Sequence, residues 1–366
     1  MEEKDLTRTL DESDNNGQSC QVRYPGFPMD RSITSPTLLA DLGGTNVRFA
    51  LADAAAASPL LLDSVKRYRV KDFDTLADAM RQYFADTGYT ATQSIIAAAG
   101  RIANGETVKI TNNPWAVSAH GLEAELGFER VRLVNDFAAQ GMSIPLLKND
   151  ELQAVGKVLP PEHSHNAATQ TFVVMGPGTG LGVAGLLLRH GHWIVLETEG
   201  GHSGFAAHTA EDVEILHRLN ARFGRVSNER MICGNGLVNL YLALADIAGQ
   251  AAEEYTPEDI TARATDGSDP LCVRTVETLA GIFGSVAGDL VLSLGGWDGV
   301  YLTGGVLKIL MPWLQRGGFR ERFEAKGRFR DTMEHVPTIA ITHPEPGLLG
   351  AAALAVLETG RSLPQS

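Results

Sequence analysis

Residues 37–54 read TLLADLGGTNVRFALADA. Two apolar strands flank the turn Asp41-Leu42-Gly43-Gly44-Thr45-Asn46. Glycines carry no Cβ, so the backbone there can turn tightly and approach a ligand closely. The N–H groups of such a turn can face phosphate oxygens. Asp41 ends the first strand, where a carboxylate can hold a hydrated Mg²⁺ shared by those phosphates. An ordinary Gly-Gly β-hairpin uses the same residues, so this turn alone leaves both readings open.

Outward from it, SVKRYRV reads as a third strand, and Leu76, Met80 and Phe84 mark a helix by their spacing of four. The strand SIIAAAG, the segment TVKIT, a helix SAHGLEAELG and the strand VRLV complete an α/β half with a mostly buried sheet. The pattern then recurs. TFVVMGPGTG, GVAGLLLRH and WIVLETEG read as three strands, followed by helices over roughly 209–223, 235–248 and 271–291. Thr256-Pro257-Glu258-Asp259 is a helix start. A strand GVYLTGG, a helix from Val306 and an Ala/Leu-rich final helix close the chain. Strand order is duplicated here, not sequence.

A second glycine turn, Gly178-Thr179-Gly180, sits between apolar strands at the matching place in the second half. Two such turns facing each other make a cleft able to grip a nucleotide's phosphates from both sides. A third, Thr303-Gly304-Gly305, opens a helix, which tolerates phosphate and a flat adenine-ribose unit. No Walker Gly-Lys-[Ser/Thr] follows a glycine at the required gap. Gly180, Gly182 and Gly185 satisfy GxGxxG formally, but LLLRHGHWIVLE after them reads as strand, turn and strand, with no helix to receive a pyrophosphate. A GxSxG elbow is missing too, since Phe205 takes its last position.

Polar residues at strand ends supply the other half of a site. Asn135 and Asp136 end the VRLV strand, where ligands of α/β sheets bind and where either residue can equally serve as a helix cap. A carboxylate at 136 could accept a proton from a hydroxyl attacking phosphorus. Glu199 and His202 flank a Gly-Gly turn and could bind vicinal hydroxyls. Glu229, read as opening a helix, and Asn112, in an Asn-Asn-Pro turn, have bland readings as a first-turn acid and a turn former. The pairs His163/His165 and His190/His192 lack a third metal ligand at usual spacing and read as loop residues.

Composition narrows the classes. The 366 residues fit two domains at ~150 residues each. Lys and Arg number 31 against 44 Asp and Glu, so 31 − 44 = −13, which argues against wrapping nucleic acid or docking on anionic membrane. Cys20, Cys233 and Cys272 are far apart, which suits a reducing cytoplasm. The longest apolar candidate for a membrane span, Ile282 to Leu294, reads as broken by Gly284, Ser285, Gly288 and Asp289. Residues 1–36 lack apolar periodicity and are expected to be a disordered tail, with no secretory signal.

The runs LLADLGGTNVRFALAD, ITNNPWAVS, LVNDFAAQGMSIP, GPGTGLGVA, TEGGHSGFA, RFGRVSNERMICGNGLVNLY and GFRERFEAKGRF resemble, in order, bacterial ATP-dependent glucokinases. The resemblance implies the actin-like, hexokinase-type ATPase fold. That means two RNase H-like domains around a cleft, residues 37–146 with 345–361 and residues 147–344, with the last helix returning to the first domain. It implies D-glucose and ATP as substrates, Mg²⁺ as cofactor, and often a homodimer. Asp136 matches the family's catalytic base, and Asn112, Asn135, Glu199, His202 and Glu229 match its sugar contacts. Ala40 through Thr45 (Ala40, Asp41, Leu42, Gly43, Gly44, Thr45) match the first phosphate loop, Gly178 to Gly180 the second, and Gly304-Gly305 the adenosine loop. Thr198, Gly100 and Asn235 depart from the family's pattern, and the tail is extra. A kinase for another hexose and a nucleotide-dependent scaffold without turnover remain the rivals. The zinc-containing repressor branch is disfavoured, because its Cys-rich loop has no counterpart here.

Overall fold

The computed structural model describes residues 36–110, 113–159 and 169–363. The stretch expected to be a tail, together with Asn112, His163 and His165, lies outside the described residues.

β1 (Thr37–Leu42) turns into antiparallel β2 (Asn46–Ala52), which pairs with β3 (Leu60–Arg69). Parallel β4 (Gln93–Ala98) and β5 (Arg130–Asn135) complete a sheet of order β3-β2-β1-β4-β5. The crossover helix Leu76–Thr87 begins with a Thr75–Asp78 capping box and stops at Gly88 in the left-handed region. After β4, a small three-stranded sheet (Ile102–Ala103, Thr107–Lys109, Ala116–Ser118) interrupts the pattern.

The order recurs downstream. β6 (Leu152–Ala154), β7 (Thr169–Pro177), β8 (Leu181–Arg189), β9 (His192–Thr198), β10 (Gly299–Leu302) and β11 (Thr338–Ile341) form a sheet of order β9-β8-β7-β10-β11-β6. As in the first sheet, three antiparallel strands lead into parallel neighbours, and β6 adds an antiparallel edge. The sequence reading singles out neither β6 nor β11. Both are very short, and short apolar runs carry little periodicity to read. The turn between β8 and β9 places His190 at φ 51° and Gly191 at φ 81°, a hairpin conformation. This bears out the rejection of a dinucleotide fingerprint.

Strand alternation sorts the core. Leu38, Ala40 and Leu42 pack with Met80, Tyr83 and Trp115 on the outer face of the first sheet. Leu39 and Val134 face the other way, into a cluster that also holds Phe172 and Val174 of the second sheet. Asp41, two residues beyond Leu39 on the same strand, therefore emerges on that inner side. Between the sheets lie the helix Asp136–Met142 and the final helix Pro346–Glu358, which contacts β1, β4 and β2. The two helices approach so closely that a Cβ on Gly350 would stand 1.6 Å from the Ala139 carbonyl oxygen.

The glycines read as breaking a membrane-length run do something else. Pro270–Leu294 is one continuous 25-residue helix, long and apolar enough to cross a membrane but mostly buried within the protein. A Cβ on Gly284 would meet the Phe319 carbonyl oxygen at 2.0 Å, and one on Gly288 the Phe323 carbonyl oxygen at 2.6 Å. These glycines, inside the helix expected over 271–291, admit the helix Gly318–Glu324. Arg322 locks the contact by donating to Ser285 Oγ at 2.9 Å and pairing with the buried Asp212.

Candidate active site

The first turn is a hairpin tightened by Gly43 N–H donating to Asn46 O at 3.0 Å. Asn113 Nδ2 donates to Gly43 O at 3.1 Å, which ties the Asn-Pro-Trp turn to the glycine loop. Ala40 and Leu42 are fully buried, so only their backbone can touch a ligand. Gly43 and Gly44 are half-buried and Thr45 is exposed.

The second and third turns are one structure. Thr303 N–H donates to Met175 O at 3.0 Å and Val306 N–H to Pro177 O at 3.1 Å. A Cβ on Gly176 would stand 1.9 Å from Thr303 O, and Gly304, at φ 99°, packs its backbone on Pro177. Only glycine permits this approach. Gly178 O accepts from Gly234 N–H at 3.1 Å, so the second turn also rests on the start of the helix Gly234–Ala248. The outer residues, Thr179 and Gly305, are exposed.

Asp136 occupies the first turn of the helix Asp136–Met142, and Asn135 is its N-cap. The Asn135 side chain accepts from Phe137 N–H at 3.0 Å and Ala138 N–H at 3.1 Å, which is the capping use its residue type suggests. The carboxyl of Asp136 is pushed up to about 7, first by burial and next by the nearby Asp41, with Glu199 adding a smaller push; backbone N–H donors oppose the shift. Three carboxylates therefore share one space. Phe137 presses its ring on Gly182, where a Cβ would come within 1.9 Å, and Gln140 accepts from Thr303 Oγ1 at 2.8 Å. The helix bearing Asp136 thus touches both the second sheet and the third glycine turn.

Glu199 and His202 flank a short turn at the end of β9 and are exposed. His202 Nδ1 lies 3.9 Å from Glu229 Oε1, and its Nε2 lies 4.0 Å from Glu199 Oε2. Glu229 opens no long helix. It sits in the 3₁₀ turn Asn228–Arg230, where Oε2 accepts from Leu181 N–H at 3.0 Å. A Cβ on Gly180 would meet that oxygen at 2.3 Å. The residues read as sugar contacts are thereby joined to the second glycine turn.

Arg48 and Glu345 escaped the sequence reading. Arg48 Nη1 donates to Asp41 Oδ2 at 2.8 Å, and Arg48 Nε faces Glu345 Oε2 at 3.3 Å. The pair Asp41–Arg48 was available in principle. A tight turn at Gly43-Gly44 sets them directly opposite across the hairpin. Among the described residues, no group of three or more His, Cys, Asp or Glu is arranged to cage a metal ion. Asp41 with Asp136 and Glu199 nearby instead suits a hard divalent cation that keeps its waters and takes its other ligands from phosphate. After burial, the charges of Asp41 and then Glu199 add to the upward push on Asp136, so negative charge is concentrated at this point.

Comparisons with known proteins identify the family. The glucokinase family model matches residues 38–358. A glucokinase from Stenotrophomonas maltophilia (strain R551-3) is 49% identical over 324 residues, covering 88% of this chain and 95% of that protein. One from Xanthomonas oryzae pv. oryzae (strain MAFF 311018) is 50% identical over 327 residues, covering 88% and 96%. Among solved structures, a glucokinase from an Antarctic psychrotroph superposes with TM-score 0.78 at 32% identity, covering 88% of this chain and 99% of that one.

Proposed function

This chain belongs to the glucokinase family, and from that premise we propose how its residues move a phosphoryl group from ATP to the 6-hydroxyl of D-glucose. The protein is an ATP-dependent hexose kinase. Such transfer needs little covalent chemistry from the protein, so position and charge carry it. Glucose lies against Glu199, His202 and Glu229, with Asn112 and Asn135 completing its contacts. The backbone of Gly43-Gly44 and Gly178-Thr179-Gly180 holds the phosphates, and Gly304-Gly305 faces the adenosine. Asp136 accepts the O6 proton as O6 attacks the γ-phosphorus. The bond from that phosphorus to the β-bridging oxygen breaks, ADP leaves, and the proton passes to solvent. Mg²⁺ held through water by Asp41 would neutralise charge on the β and γ oxygens.

Residues 37–146 with 345–361 are read as one RNase H-like lobe and residues 147–344 as the other. The repeated strand order supports this division, as does the packing of the final helix on β1 and β4. A cytoplasmic homodimer belongs to the same reading. Sedimentation of the purified protein tests the dimer.

The observation that carries the proposal is the carboxyl of Asp136, half-buried on a helix's first turn with Asp41 and Glu199 close enough to raise it. A base poised near the working pH transfers protons best. A coupled ADP-release assay over a hexose panel tests the substrate. D-glucose should give the highest kcat/KM; preference for another hexose, or nucleotide binding without turnover, would overturn it. A pH profile tests the base. The kcat/KM for glucose should fall on the acid side with an apparent pKa near 7, because protonated Asp136 cannot accept the O6 proton. Glu199→Gln removes a negative neighbour, so the limb should move to lower pH. An unmoved limb would reassign it to another group.

A further inference from the structure

We propose that Arg48 is a positioning residue. It holds Asp41 in the orientation that receives a hydrated divalent cation, and Glu345 in turn holds Arg48. The proposal rests on the metal-binding reading of Asp41 given above and extends it to residues outside the glycine turn.

Asp41 is the next-to-last residue of β1, and a lone carboxylate there could swing among rotamers. One hydrogen bond, two ion pairs and the close backbone of the final helix restrain it. Arg48, directly across the hairpin, donates from Nη1 to Asp41 Oδ2 at 2.8 Å. Its Nε faces Glu345 Oε2 at 3.3 Å, and Arg67 Nη2 stands 3.8 Å from Glu345 Oε1. On the far side, the first turn of the final helix closes in, and a Cβ on Gly347 would stand 3.0 Å from Asp41 Cγ. Asp41 is wedged between a guanidinium and a helix backbone.

Burial makes the guanidinium's task specific. The Glu345 side chain is 14% exposed and that of Asp41 19%. A planar guanidinium can engage two acids from different edges at once, which an ammonium on a flexible stem cannot match. Arg48 occupies Oδ2, so Oδ1 would be the oxygen offered to a hydrated cation. Glu345 begins the final helix, where the chain returns from the second sheet to pack on the first. The acid that orients Arg48 is therefore supplied by the far end of the chain.

A group that holds a metal ligand typically contributes about 10–100-fold to metal affinity; Asp41, acting on a metal-bound water, has that place, and Arg48 stands one contact further out, so its share is smaller. Titration calorimetry of ADP binding, with and without Mg²⁺, tests this on the full chain. In Arg48→Met, the gain in ADP affinity on adding Mg²⁺ should fall several-fold, up to about tenfold. Glucose affinity and metal-free ADP affinity should stay at wild-type values. The Mg²⁺ concentration for half-maximal velocity should rise in step. Arg48→Lys should recover part of the gain, and Glu345→Gln should shift it in the same direction by a smaller factor. Unchanged Mg²⁺ dependence in Arg48→Met overturns the proposal. So does an equal loss of glucose, ADP and Mg²⁺ affinity, which would mark a damaged fold. Asp41→Asn separates the two levels. If it abolishes the Mg²⁺ effect while Arg48→Met leaves it intact, only the positioning role fails. If Asp41→Asn leaves the Mg²⁺ effect intact, the metal-binding reading fails as well.

Discussion

Asp136→Asn is expected to lower kcat by about 10²–10⁴-fold, the usual contribution of a general base, while glucose still binds with an affinity that calorimetry can measure. Asparagine keeps the shape and can accept the same backbone N–H bonds, but it cannot take a proton at working pH. A kcat within a factor of about ten of wild type would remove Asp136 from this role. A stability measurement reports on the same group independently of turnover. The carboxyl rises from 3.8 to about 7 on folding, so between those values the unfolded chain has lost a proton that the folded one keeps. Wild-type stability therefore declines as pH rises from about 4 to 7 and stays lower above it. The variant lacks this term. Its melting temperature should exceed that of wild type at pH 8 and converge with it near pH 4. Equal melting temperatures at both pH values would mean that burial and Asp41 do not act on Asp136 as described.

The second large effect belongs to Gly350→Ala. The added Cβ would stand 1.6 Å from Ala139 O and 3.0 Å from Ser143 N. Both are backbone atoms of the segment that follows Asp136. A flexible side chain could rotate aside, but here one of two packed helices must move. Overpacking of this kind costs about 3 kcal/mol or more. Denaturant titration should show that loss, and the activity of the molecules that remain folded should drop as well, since Ala139 lies three residues from Asp136. Gly318→Ala is the control. Nothing lies within 4 Å of its Cβ position, so its stability should stay within about 0.5 kcal/mol of wild type. A Gly350→Ala protein as stable and active as wild type would show that the two helices can separate freely.

The parts of this protein that can be read from sequence share a physical basis. Helix starts at Thr75, Thr209 and Thr256 announce themselves through an N-cap and an acid three residues on, and all three form capping boxes. The turn at Gly43-Gly44 implies its hairpin, and the hairpin's register pairs Asp41 with Arg48. Glu345 could not be paired in this way, because nearly three hundred residues separate it from Arg48 and no local pattern specifies that contact. Gly284 and Gly288 lie inside the helix expected over 271–291, and the reason they are glycine is tertiary. Their lack of side chains reads locally as weakness in a helix, whereas in the fold it is room for a second backbone.

By itself, then, the amino-acid sequence determines the longer strands, helix caps and glycine turns, and through their repetition a duplicated α/β architecture. Each depends on residues only a few positions apart. Tertiary packing alone decides that Asp136 shares its space with Asp41 and Glu199 and that Glu229 leans on Gly180. It also decides that Glu345 secures the arginine beside Asp41. Charge and burial act through distance in space, and it takes two sheets closing on a pair of helices to turn long separations along the chain into a few ångströms.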